Sequence, residues 1–134
     1  MKTGFKELEV WQLAQQLVKD IYAASASFPE AEQFGLTTQI RRAAVSVPCN
    51  IAEGWGRNAD GSFVHYLRIA RGSLNEVETL LTIATDLSLI SEEDHDRMTL
   101  AVSILGRKLY NLIERVKAQA VRDESEVYSA SRPS

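Results

Sequence analysis

Four stretches of this chain repeat apolar residues at alternating spacings of three and four, and polar breaks separate them. Val10, Ala14, Leu17, Ile21, Ala24 and Phe28 form the first seam, which Trp11, Val18 and Tyr22 widen. Ile40, Ala43, Ala44, Val47 and Ile51 form the second. Phe63, Leu67, Ala70, Leu74, Val77, Leu81 and Ala84 form the third. Met98, Val102, Leu105, Leu109, Leu112 and Val116 form the fourth. A period near 3.5 is the packing face of a bundle helix. The spacing predicts helices near 7–27, 36–56, 62–89 and 92–119. Short connections force consecutive helices to run antiparallel. The expected fold class is all-α, an antiparallel up-down four-helix bundle over residues 1–119.

The breaks carry their own signals. Phe28-Pro29 stops the first helix, because a residue before proline is pushed out of the helical region. Gly35-Leu36-Thr37 leads into the second helix and offers a threonine as its cap. Asn58 to Ser62 reads as a turn and restart. Ser91-Glu92-Glu93-Asp94 is a helix start, its acidic residues suited to the positive end of the dipole. Residues 1–5 should fray, with Phe5 as an anchor, and the polar run 120–134 reads as a disordered tail.

One stretch departs from these rules. Pro48 falls inside the second seam, where it cannot donate to the carbonyl of Ala44 and its ring crowds that turn. A kink is expected, with Ser46 and Asn50 as the polar groups able to repair it. Gly54 and Gly56 are placed to end the helix as left-handed caps, Trp55 to cover the bundle end, and Arg57 to cap the last carbonyls. The third helix carries a second stripe beside its seam: Tyr66, Ile69, Ser73, Glu76, Leu80, Ile83 and Leu87. Two adjacent seams imply broad burial, either against two partners in the same chain or in a subunit interface. Glu76, a carboxylate in that stripe, then needs a cation, and Arg41 or Arg42 is the expected one.

Gln39-Ile-Arg-Arg-Ala-Ala44 followed by Ser46-Val-Pro-Cys-Asn-Ile-Ala-Glu-Gly54 resembles the signature of a bacterial four-helix-bundle family named for reading frames in intervening sequences of the 23S ribosomal RNA gene. The similarity continues at Phe28-Pro29, Glu32, Gly35-Leu36, Leu67, Ile69, Ala70, Gly72, Ser73 and Glu76, and spans roughly residues 5–118. Cys49 departs from the small serine-like residue more usual there. The resemblance implies a ring-shaped homopentamer. It also implies kinship with accessory proteins of diversity-generating retroelements, which partner a reverse transcriptase and touch RNA or DNA.

Composition narrows the remaining chemistry. A single cysteine cannot form an internal disulfide or a cysteine-based zinc cluster. His65 and His95 are the only histidines, and no second Glu-x-x-His pair exists to face Glu92-x-x-His95, so no metal site is expected. Cys49 and Ser46 lack an adjacent base, and no phosphate loop is present; no catalytic residue and no cofactor are expected. No apolar run is long enough to span a membrane, and no signal peptide is evident, which predicts a soluble cytoplasmic protein. The net charge of −3 divides unevenly, into −2, +3 and −4 over residues 1–38, 39–72 and 73–134. All basic residues of the middle segment are arginines: Arg41, Arg42, Arg57, Arg68 and Arg71. Arginine suits bidentate pairing or phosphate contact. Arg41 and Arg42 are read first as partners of Glu76 and Glu53; Arg68 and Arg71, three apart, as facing solvent or a partner. The sequence therefore points to a non-catalytic, homo-oligomeric assembly module with nucleic acid or a nucleic-acid enzyme as partner. The alternative is a small-molecule binder or cryptic enzyme at a polar notch of Ser46, Asn50 and Glu53 around the Pro48 kink.

Overall fold

The structure, a computed structural model, describes residues 4–131. It is an all-α bundle of four helices, α1 Glu9–Ser25, α2 Leu36–Gly56, α3 Asp60–Asp86 and α4 Glu92–Ser131. Single 3-10 turns at Phe5–Glu7 and Glu30–Glu32 precede α1 and α2. Each helix packs against its neighbours in sequence, and α1 closes the bundle against α4. No strand occurs among the described residues.

The predicted seams form the core. Leu17, Ile21, Ile40, Val47, Ile51, Leu67, Val77, Leu81, Met98, Leu105 and Leu109 are essentially fully buried. Each such aliphatic side chain contributes about 1.5–3 kcal/mol relative to exposure. Two seams drift by one position toward their C-terminal ends. In α1, Ser25 is buried and Ala24 only partly; in α4, Ile113 replaces Leu112 at the centre of the core. A straight helix has 3.6 residues per turn, so a strict seven-residue repeat slides around it by about 20° per heptad.

The helix ends differ from expectation in instructive ways. Pro48 lies inside α2, which runs unbroken from Leu36 to Gly56. Neither Gly54 nor Gly56 adopts a positive φ; the left-handed residue at this end is Asn58, at 58°. Gly54 is buried within α2, where an added Cβ would lie 2.7 Å from the Tyr66 Cβ of α3. It is there for close helix approach, and the cap assignment is corrected. Trp55 is partly buried at the bundle end, edge-on to Phe63 at 5.6 Å. Thr37 does not cap α2. It is buried inside the first turn and its hydroxyl lacks a protein partner. The Leu36 N–H lies 3.4 Å from a carboxylate oxygen of Glu32 instead.

α3 closes with a paired C-terminal motif. Leu89 N–H bonds the Ala84 carbonyl at 2.8 Å and Ser88 N–H bonds that of Thr85 at 2.9 Å, with Ser88 left-handed at φ 61°. Ile90 then buries, and the Ser91 hydroxyl accepts from Asp94 N–H at 3.1 Å, the predicted start of α4. α4 does not stop near Gln119. It continues to Ser131, and residues 121–130 are exposed throughout, so the tail expected to be disordered is helical. Extending a formed helix costs far less than nucleating one, and local contacts such as Gln119 to Asp123 at 2.8 Å accompany the extension.

Candidate functional site

The polar groups beside Pro48 form a connected set across α2 and α3. Asn50 Nδ2 donates to the Ser46 carbonyl at 2.8 Å and to the Ser46 hydroxyl at 2.9 Å. That hydroxyl lies 2.8 Å from the Ser73 hydroxyl of α3. Asn50 thus has the partner expected of it, but it serves the carbonyl of Ser46 and not the one Pro48 frees at Ala44. All three side chains are half-buried. The set is neutral and mutually satisfied, so it ties two helices together and offers no acid–base pair. Glu53 does not join it. Its carboxylate takes both Nε and Nη2 of Arg57, at 3.0 and 2.7 Å, on the exposed side of α2.

The five arginines do not converge within one chain. Arg41 and Arg42, adjacent in sequence, are about 100° apart around α2. Arg41 turns to α1, where its Nε donates to the Ser25 hydroxyl at 2.8 Å and its guanidinium lies 4.5 Å from the Tyr22 ring centroid. Arg57 binds Glu53 and the Tyr66 hydroxyl at the lower end of α2. The hydrogen bond with Glu53 first, and then the electrostatic influence of Tyr66 and of the Glu53 carboxylate, raise its already high pKa, so it remains a cation. Arg71 stacks 5.3 Å from the Tyr110 ring of α4. Arg42 and Arg68 are exposed with no ion-pair partner among the described residues.

Glu76 requires a correction. It is exposed, and neither Arg41 nor Arg42 pairs with it. The stripe that contains it is only partly covered. Leu80 is buried, and Tyr66 and Ser73 are half-buried, but Ile69, Ile83 and Leu87 are 39%, 41% and 57% exposed. A carboxylate on that open face keeps its water and needs no cation.

Three arginine–tyrosine contacts, with Tyr22, Tyr66 and Tyr110, escaped the sequence reading. Their only signal is a tyrosine beside the first, third and fourth seams, which does not say which arginine it meets. Two clefts at the lower end of the bundle also escaped it. One, of about 400 Å³, is lined by Trp55, Asp60, Phe63, Leu112, Arg115 and Val116 among others. The second, of about 430 Å³, lies between α1 and α4 beside Glu9 and Lys108, which pair at 2.8 Å. Leu112 and Arg115 border both. Among the described residues no three His, Cys, Asp or Glu side chains group to hold a metal ion. Among the described residues no helix is long and apolar enough to cross a membrane.

The fold has a counterpart in the crystal structure of a protein of unknown function from the S23 ribosomal protein family of Bacteroides thetaiotaomicron. The two share 22% identity at a TM-score of 0.71, over 78% of this chain and 95% of the other. At that identity the likeness speaks to the fold alone. No curated protein matches the sequence. The model of one family, described as 23S rRNA-intervening sequence protein, matches residues 6–111, from the turn before α1 to the middle of α4. With the bundle and the 39–54 motif both in place, the chain belongs to the 23S rRNA-intervening sequence protein family.

Proposed function

We propose that this protein is a non-catalytic assembly module whose bundles join into a closed homo-oligomeric ring, with five members as the family resemblance implies. The observation that carries this reading is the outer stripe of α3. Ile83 and Leu87, one turn apart, are exposed there, as is Ile69 two heptads earlier, while the predicted seams themselves are buried. Large exposed apolar patches are uncommon on soluble monomers and mark interaction surfaces, and Ile83 with Leu87 would be the centre of one. A ring uses a heterologous contact, with this face of each chain against a different face of the next. Repetition around an axis would multiply the free cations Arg42 and Arg68, so an acidic chain could still hold a phosphate backbone. RNA, DNA or a nucleic-acid enzyme such as a reverse transcriptase is the partner proposed on that basis.

The notch reading has less support, because Ser46, Asn50 and Ser73 already satisfy one another and Glu53 is held by Arg57. The assembly reading is tested by Ile83→Asp with Leu87→Asp. Both positions are exposed, so the bundle should stay folded by circular dichroism while the sedimentation mass falls. An unchanged mass would remove the α3 face from the interface.

A further inference from the structure

The two clefts at the lower end of the bundle meet along one ridge of α4, and their walls differ in kind. The first, about 400 Å³, is walled by Trp55, Phe63, Leu112 and Val116, with the Trp55 and Phe63 rings edge to face at 5.6 Å. The second, about 430 Å³, is lined on its α4 side by Lys108, Asn111 and Arg115. Those three recur at intervals of three and four, so they share the face of α4 that meets α1. Leu112 and Arg115 belong to both clefts. An apolar chamber therefore opens beside a polar one, with an arginine on the ridge between them. Each volume is in the range of pockets that hold small molecules by apolar walls and a few convergent polar groups. The charges on these walls are not balanced. Lys108 is held by Glu9 at 2.8 Å, but Arg115 has no ion-pair partner among the described residues. Its neighbour Glu114 pairs with Lys117 at 3.4 Å and stands about 100° away around the helix. Asp60 is the one carboxylate lining the apolar cleft; it opens α3, where the positive end of the helix dipole compensates it.

We propose that the two clefts form one binding site for a single-chain amphipathic carboxylate. Its aliphatic tail lies among Trp55, Phe63, Leu112 and Val116, and its head passes Arg115 into the polar cleft. Each part of the ligand is selected by a different wall. The aromatic and aliphatic side chains favour a tail, and each buried methylene strengthens binding about fourfold. Asp60 repels an anionic head from the apolar cleft, and Arg115 receives it as a charge-assisted hydrogen bond. Asn111, one turn away on the same face, supplies an N–H donor without disturbing the pair of Glu9 and Lys108. On the opposite wall Leu8 precedes α1 without a side-chain cap, so the positive end of a helix of 17 residues adds to the attraction. The side chains define the site and the helix end reinforces it. A cationic head would meet Arg115 and Lys108, and a neutral one would leave Arg115 unpaired. The site is separate from the α3 face and does not depend on ring assembly.

The test titrates the full chain with decanoate below its micelle concentration. Calorimetry on the wild type gives the affinity, and Trp55 emission in a Trp11→Phe background, where it is the sole tryptophan, reports on the apolar cleft. Decanoate should give saturable heat and a saturable emission shift. Octanoate, two methylenes shorter, should bind about tenfold more weakly. Decanol and decylamine, which keep the tail and lose the anionic head, should also bind at least tenfold more weakly. Arg115→Gln, at an exposed position, should weaken decanoate at least tenfold and leave decanol unchanged, with helicity by circular dichroism showing that the variant folds. Asp60→Asn should keep or strengthen decanoate binding. The proposal is overturned if decanoate gives neither heat nor an emission shift, or if decanol binds as tightly as decanoate. It is equally overturned if Arg115→Gln leaves decanoate affinity intact, or if Asp60→Asn abolishes it.

Discussion

Two glycines one turn apart in role, though only two residues apart in sequence, should respond oppositely to alanine. At Gly54 the new Cβ would stand 2.7 Å from Tyr66 Cβ, 3.1 Å from Phe63 Cδ1 and 3.4 Å from the Phe63 carbonyl. A ring carbon can rotate aside. The Tyr66 Cβ cannot, because the α3 backbone fixes it, so relief requires α2 and α3 to separate. Overpacking of this kind costs about 1–3 kcal/mol, and an unyielding neighbour puts Gly54 at the upper end. Alanine returns about 1 kcal/mol of helix propensity. The net expectation is a loss of about 2 kcal/mol. At Gly56 nothing lies within 4 Å of the added Cβ, and φ is not positive. There the propensity gain stands alone, up to about 1 kcal/mol and less if the last turn frays. Urea melts followed by circular dichroism at one protein concentration would measure both, since assembly makes stability depend on concentration. If Gly54→Ala stabilises as much as Gly56→Ala, the close approach of α2 and α3 is wrong.

Other substitutions probe separate parts of the account. Asn50→Ala should lower stability by about 1–3 kcal/mol in the same melts, since it strips the Ser46 carbonyl and hydroxyl of a half-buried donor; an unchanged midpoint would deny it a structural role. Ser88→Gly should raise stability by roughly 0.5–1 kcal/mol, because a left-handed φ costs serine energy that glycine does not spend. Arg42→Ala with Arg68→Ala should weaken RNA or DNA retardation in gels and flatten its salt dependence by about two charges per chain engaged. Binding that keeps its salt slope would place the phosphate contact elsewhere.

The bundle was legible because burial in a helix is periodic. The seams from Val10 to Val116, the Ser91 start and the placement of Pro48 inside α2 all follow from spacing and capping chemistry. What escaped depends on information that spacing does not hold. Gly54 has one composition and two meanings, cap or contact, and only the helix opposite decides between them. Glu76 sits among apolar residues in sequence, but its stripe faces outward, so the presumed need for Arg41 or Arg42 vanishes. Arg41 reaches α1 instead because neighbouring positions on a helix diverge by about 100°. The extension of α4 to Ser131 buries nothing, and a reading based on hydrophobic pattern has no way to register a helix that no core supports.

The central claim is assembly, and mass is its most direct measure. Light scattering coupled to size exclusion at micromolar concentration should return five times the mass of the 14.9 kDa chain, the closed ring. A mass of 14.9 kDa would mean that the apolar stripe of α3 faces water in a monomer, and would contradict the account.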